Sequence, residues 1–210
     1  MISLSEILHT IAQALMIPCL IILLVLMAGA VWQIGDIVVE YIAERRKHKC
    51  DVPQLLRDVH TAGADGLADL IENSGLLRRQ KKALLELAES RNLPKDTLTA
   101  LAERLLATEE ARNARTTSVT DMIAKLGPMF GLLGTLIPLG PGIVALGQGD
   151  TVTLSESMNV AFDTTIAGVI SAAVASVISH IRKRWYNDDM VSLETLMEAV
   201  LEEVTSDVEG

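Results

Sequence analysis

Two long apolar runs, Leu126–Leu146 and Val160–Ile181, separated by a short polar stretch, limit what this chain can fold into. Each is about 21–22 residues, enough at ~1.5 Å per helical residue to cross the ~30 Å hydrocarbon layer of a bilayer. Neither can be a signal peptide so far along the chain. Their content is not that of plain lipid-facing anchors: the first is crowded with Gly and Pro, and the second carries Asp163, Thr164 and Thr165 among apolar neighbours.

A third run near the N-terminus, residues 11–34, has no charged side chain, spans a bilayer with some tilt, and carries Pro18 as a kink point near its start. Ser3 and Glu6 have capping-box spacing, which starts a helix within residues 1–10. The rival reading, a cleaved signal sequence, wants a basic leader and a small-residue cleavage site that this run lacks. Lys and Arg fix the orientation. None precedes Arg45 and none lies in the turn 147–159, whereas Arg45, Arg46, Lys47 and Lys49 follow the first run, Lys125 precedes the second, and Arg182, Lys183 and Arg184 follow the third. By the positive-inside rule the N-terminus and the turn 147–159 face outward, while 35–125 and 182–210 are cytoplasmic. The expected fold is all-α: a multi-pass protein with transmembrane helices at 11–34, 126–146 and 160–181 and a helical cytoplasmic region.

Composition agrees. Half of the residues are hydrophobic and only 3% are aromatic, as in an integral membrane protein. A formal net charge of −9 argues against nucleic acid as a partner, because phosphate binding needs a concentrated cationic surface. Cys19 lies in an apolar run and Cys50 beside a basic cluster, so neither a disulfide nor a metal site is expected from them. His9, His48, His60 and His180 are scattered, and with no Ser-His-Asp set and no phosphate loop the sequence points away from an enzyme and from any cofactor.

Between the first two spans, Pro53, Gly63, Gly66, Gly75 and Pro94 punctuate a helical segment. After Pro94, Leu98, Leu101, Ala102, Leu105 and Leu106 recur at helical spacing, and Leu193, Leu196, Met197, Val200, Leu201 and Val204 form a second stripe in the tail. These stripes cover each other or equivalent helices of other subunits, or else dock a separate cytoplasmic protein.

Gly127, Gly131, Gly134 and Pro138 share one face of the second span. The third carries Thr164, Gly168, Ser171 and Ala175 on one stripe, with Thr165, Ala172, Ser176 and Ser179 beside it. Small residues let membrane helices approach closely, so the walls read either as packing or as the lining of a polar pathway; a threonine hydroxyl can simply bond back to a carbonyl one turn earlier. Pro138 and Pro141 leave carbonyls that neighbours or water must cover. Asp163 marks either a functional site, because an ionisable group at mid-membrane costs about 2.5–3.5 kcal/mol, or a residue close enough to the outer end of its span to reach the interface.

The segments GPMFGLLGTL (Gly127–Leu136) and AFDTTIAG (Ala161–Gly168), within three spans and a large cytoplasmic segment after the first, resemble the MotA/TolQ/ExbB proton channel family, in its three-span ExbB/TolQ-type branch. The likeness is close over about the last 90 residues and elsewhere rests on topology. It implies a cell-membrane homo-oligomer, a pentameric ring around an ExbD/TolR/MotB-like single-span protein bearing a membrane Asp, with ion flow coupled to motion of that partner as in a stator. It assigns Thr135 to the family's G-T core, Thr165 to the second Thr of its TT signature, and Pro128 to the proline that opens the second helix. A hydroxyl both donates and accepts, so Thr135 and Thr165, with Thr164 and Asp163 nearby in sequence, are the expected proton pathway, and Gly127, Gly131, Gly134 and Gly168 the expected packing residues. This chain has Val160 where many members of that branch carry Glu, and its PLGPG run at 138–142 is unusual. The competing reading is a structural membrane scaffold that keeps the ring and does not conduct.

Overall fold

The computed structural model describes residues 4–45 and 51–209, so Ser3, Arg46, Lys47, His48, Lys49 and Cys50 lie outside the described residues. Among the described residues the chain is all-α, without strands, and three of its helices are long and apolar enough to cross a membrane. The order is α1 (Leu4–Ala14), α2 (Met16–Glu40) with a π-helical turn at Tyr41–Arg45, α3 (Val52–Asn73), α4 (Arg78–Glu89), α5 (Lys95–Gly147) and α6 (Thr151–Glu209). The helices form two compact units: residues 1–37 with 117–181, and residues 38–116 with 182–210.

In the first unit, α1 and α2 break at Leu15, where Pro18 has no N–H to give to the carbonyl of residue 14. α2 continues past Ile34, the end suggested by hydropathy, through Asp36 to Glu40. It packs on the other two spans through Leu26 and Ala30, which meet Ile123 and Ala175, and through Cys19 and Leu23, which meet Ile137; Phe130 touches both clusters. The Cys19 thiol donates to the Phe130 carbonyl at 3.4 Å. The outward surface is apolar: Ile21, Leu24, Val25 and Trp32 on α2, Leu132 and Leu136 on α5, and Phe162, Ile166 and Ile170 on α6 are all exposed. Covering apolar surface is worth about 25 cal/mol per Å² against water, so this unit is at home in lipid or against other apolar helices.

The polar turn between the second and third spans is short. Gly149 adopts φ +75°, a left-handed geometry that lets the Gly149 and Asp150 N–H groups close the end of α5 on the Leu146 and Ala145 carbonyls. Asp150 then caps α6: its carboxylate accepts from the backbone N–H groups of Val152 and Thr153 at 3.2 and 3.1 Å and from the Thr153 hydroxyl at 2.6 Å. The Thr153 hydroxyl and backbone N–H hold the Asp150 carboxyl below its usual range. Residues 151–159, read from sequence as part of the turn, are therefore the first turns of α6.

The second unit is a helical bundle. Leu55, Val59, Leu67 and Ile71 of α3, Leu84 and Leu87 of α4, Leu98 and Ala102 of α5, and Leu193, Leu196, Met197, Val200 and Val204 of α6 share one core. The stripes on α5 and α6 thus cover each other. Pro53 and Pro94 stand at helix starts, and Gly63, at φ +65°, bends α3 between two helical halves, whereas Gly66 stays within the helix. Gln80 ties α4 in place: its side-chain oxygen accepts from the Leu77 N–H at 3.2 Å, and its amide donates to the Asp189 carbonyl on α6 at 3.0 Å. Arg182, 1% exposed, donates to the Glu40 carboxylate at 3.0 Å, and Tyr41 stacks on Trp185 at 6.1 Å. Burial first, and then the Glu40 carboxylate beside it, push the Tyr186 phenol above its ordinary range.

Candidate functional site

The site is built on the seam between α5 and α6 in the first unit. These helices run antiparallel and touch through residues without bulk. Gly127 lies so close to α6 that an added Cβ would stand 2.7 Å from the Gly168 carbonyl oxygen and 3.0 Å from the Ala172 Cβ. At Gly131 the nearest atoms would be the Thr164 carbonyl oxygen at 3.3 Å and the Gly168 Cα at 3.4 Å, and at Gly134 the Thr164 Cβ and Oγ1 at 2.7 and 2.8 Å. Gly142 continues the seam against Ser157, at 3.1 Å. The four glycines expected to pack therefore face one another within a single chain.

Thr164 belongs to this seam. It is 4% exposed, and its hydroxyl is shared between the Val160 and Ala161 carbonyls, both at 2.9 Å. That leaves it a packing group pressed onto Gly134. Ser171 and Ala175, on the same stripe, are buried too.

Thr135 and Thr165 lie at the edge of the seam. Thr135 is half-buried and donates to the Leu132 carbonyl at 2.7 Å; Thr165 is exposed and donates to the Ala161 carbonyl at 3.0 Å. The register that sets Gly134 against Thr164, and would place a Cβ at Gly131 3.7 Å from the Thr165 Cα, puts the two threonines at one level. At ~100° per residue, Thr135 lies ~160° around α5 from Leu133 and Ile137, and Thr165 lies ~180° around α6 from Val174. Leu133, Ile137 and Val174 are residues packed into the clusters that hold α2. Both threonines thus occupy the side of the α5/α6 pair away from α2. Each hydroxyl gives its proton to its own helix and keeps lone pairs that can accept from water or a carboxylic acid. Pro128 is exposed, next to Gly127 at the start of the glycine face.

Asp163 is not part of that face. It is exposed, ~160° around α6 from Thr165 and on the Val174 side. Thr135 and Thr165 share a level and a side; Thr164 is turned into the seam and Asp163 to the opposite side of its helix.

One polar pair escaped the sequence reading. Asp121 lies just before the apolar run that begins at Leu126, and it accepts a short hydrogen bond from the Ser179 hydroxyl across the seam. Ser179 is 4% exposed, and Thr117 and Thr120 beside it on α5 are 6% and 0% exposed. Pairing residues across the antiparallel register would have exposed it: Asp121 and Ser179 each stand 14 residues from Thr135 and Thr165 respectively.

No curated protein sequence matches the chain. The model of the MotA/TolQ/ExbB proton channel family matches residues 71–195, which take in α4, the whole of α5 and α6 as far as Thr195. That stretch contains both facing threonines and is more than half of the 210 residues. The chain belongs to the MotA/TolQ/ExbB proton channel family.

Proposed function

We propose that this protein is the channel subunit of an ion-driven, energy-transducing complex of the cell membrane, with no enzymatic activity of its own. Copies of the chain form a homo-oligomeric ring, a pentamer, around an ExbD/TolR/MotB-like single-span partner that carries a membrane Asp. Protons move between that carboxyl and the ring, and the partner's motion is the output. The observation that carries this reading is the position of Thr135 and Thr165, at one level and on the side away from α2, with lone pairs left to accept. In a ring that turns this side to the centre, the hydroxyls would meet the partner's carboxyl where a lasting charge is expensive.

One observation favours the scaffold reading: every threonine hydroxyl at this level already bonds to a carbonyl of its own helix. A hydroxyl used only in this way is a packing group. The decisive experiment is proton flux into vesicles holding the ring and its partner, followed with a pH dye, beside native mass spectrometry. Thr165→Val keeps shape and removes donor and acceptor; it is expected to leave the assembly mass unchanged and to lower flux at least tenfold, while Thr165→Ser retains most of it. Undiminished flux in Thr165→Val would mean that the hydroxyl only packs.

A further inference from the structure

A proton that reaches the threonine level needs an exit to water. We propose that Asp121, oriented by Ser179, is the next proton-binding group on the way: the carboxylate that takes up the proton leaving the Thr135/Thr165 level and releases it to water at the end of the first unit where α5 enters and α6 leaves. This inference rests on the conducting reading given above.

Three observations carry it. The first is register. Thr135 to Asp121 on α5 and Thr165 to Ser179 on α6 are equal separations of 14 residues. Fourteen residues are close to four helical turns, about 21 Å, and return to within ~40° of the starting direction. Asp121 therefore lies on the same side of α5 as Thr135, and Ser179 follows Thr165 on α6. The hydrogen bond between Asp121 and Ser179 continues the facing order already set by Gly127, Gly131 and Gly134.

The second is chemistry. Along this side the residues between the two levels are apolar or hydroxylic as far as Lys125, an exposed side chain one turn from Asp121: Pro128 and Leu132 on α5, Val169, Ala172 and Ser176 on α6. Asp121 is where a carboxylate, a group that can take up a proton and become neutral, appears. As a carboxylate it accepts the Ser179 hydrogen bond; on taking up a proton it becomes a neutral carboxyl whose carbonyl oxygen still accepts from Ser179, and on release it returns to the anion. One proton enters, the same proton leaves, and no other reactant is needed.

The third is burial. Ser179 is 4% exposed and Asp121 half-buried, so the hydroxyl is fixed behind the carboxyl and the carboxyl itself has a way out. Among the described residues, Ser179 gives its proton to a side chain across the seam, whereas the hydroxyls of Thr135, Thr164, Thr165 and Ser171 give theirs to carbonyls of their own helices. Ser179 is thus a positioning residue, and Asp121 the group positioned.

Asp121→Asn tests this, because the amide keeps the size and the acceptor oxygen for Ser179 and loses only the ability to exchange a proton. In vesicles holding the ring and its partner, Asp121→Asn is expected to assemble at wild-type mass with flux at least tenfold lower. Asp121→Glu is expected to recover a third or more of the wild-type rate, and Ser179→Ala to fall between. If Asp121→Asn does not assemble, Asp121→Glu decides: an assembled Glu variant that conducts supports the assignment, and one that assembles without flux overturns it. Wild-type flux in Asp121→Asn overturns the assignment and leaves the conducting reading intact. Wild-type protein that assembles with its partner and passes no protons overturns both.

Discussion

Gly134 has no room for a methyl group. Its would-be Cβ falls 2.7 Å from the Cβ of Thr164, and at Gly168 the obstacle is the Gly127 carbonyl oxygen, at 2.5 Å. The Thr164 hydroxyl and methyl can retreat by rotation although its Cβ cannot, whereas all three obstacles at Gly168 are backbone atoms inside a helix. Gly168→Ala is therefore expected to be the more damaging of the two. Overpacking a close seam costs about 1–3 kcal/mol, and detergent-extracted protein should lose thermal stability accordingly, as read by size-exclusion chromatography after heating. Gly140→Ala, with nothing within 4 Å of its added Cβ, is the control and should change stability by no more than about 1 kcal/mol. Equal gains at all three positions would show that helix propensity and not close contact governs them. The glycine spacing was legible in the sequence because it is periodic. Its partner was not, since a face of small residues fits a helix of the same chain and a helix of a neighbour equally well. Asp163 was weighed by its chemistry and its depth in the span; its direction depends on which residues of α6 meet α2, and that is decided by packing.

At the level of helices, apolar length picked out the three helices long and apolar enough to cross a membrane, and the structure adds to the reading at two of their ends. Residues 151–159 are polar enough to read as loop, but Gly149 ends α5, Asp150 caps α6, and Ser157 seats against Gly142. The Gly-Asp pair was the available signal. At the other boundary Arg182 counted in the sequence as a topology-setting charge; in the fold it is a buried partner of Glu40, the last residue of α2. Removing one member of a buried ion pair leaves the other inadequately solvated, an effect on the order of 3 kcal/mol. Glu40→Gln should destabilise the second unit by about that much in a denaturant titration. Glu40→Arg combined with Arg182→Glu should recover part of the loss. Failure of the double swap to improve on Glu40→Arg alone would show that Tyr186 and the other neighbours of the pair, and not its charge, hold the helix ends.

For the whole molecule the question is which side of the membrane each end occupies, and here residues outside the spans carry the argument. From residue 1 to residue 44 and from 126 to 181 there is no Lys or Arg, so the N-terminal stretch and the turn at 148–150 lack the positive charge that retains a segment on the cytoplasmic side. The basic residues that follow α2's apolar run and those at 182–184 supply that charge for the rest. Burial of Arg182 weakens none of this, because insertion reads the charge before the helices pack, and Lys183 and Arg184 stay exposed. Gln148 is exposed in the turn and avoids the left-handed geometry required of Gly149. In a Cys19→Ser background, Gln148→Cys should therefore react with an impermeant thiol reagent added to intact cells, and Cys50 only after the membrane is opened. Labelling of Cys50 in intact cells with Gln148→Cys protected would invert the orientation. The Asp121/Ser179 end would then be where protons enter and not where they leave.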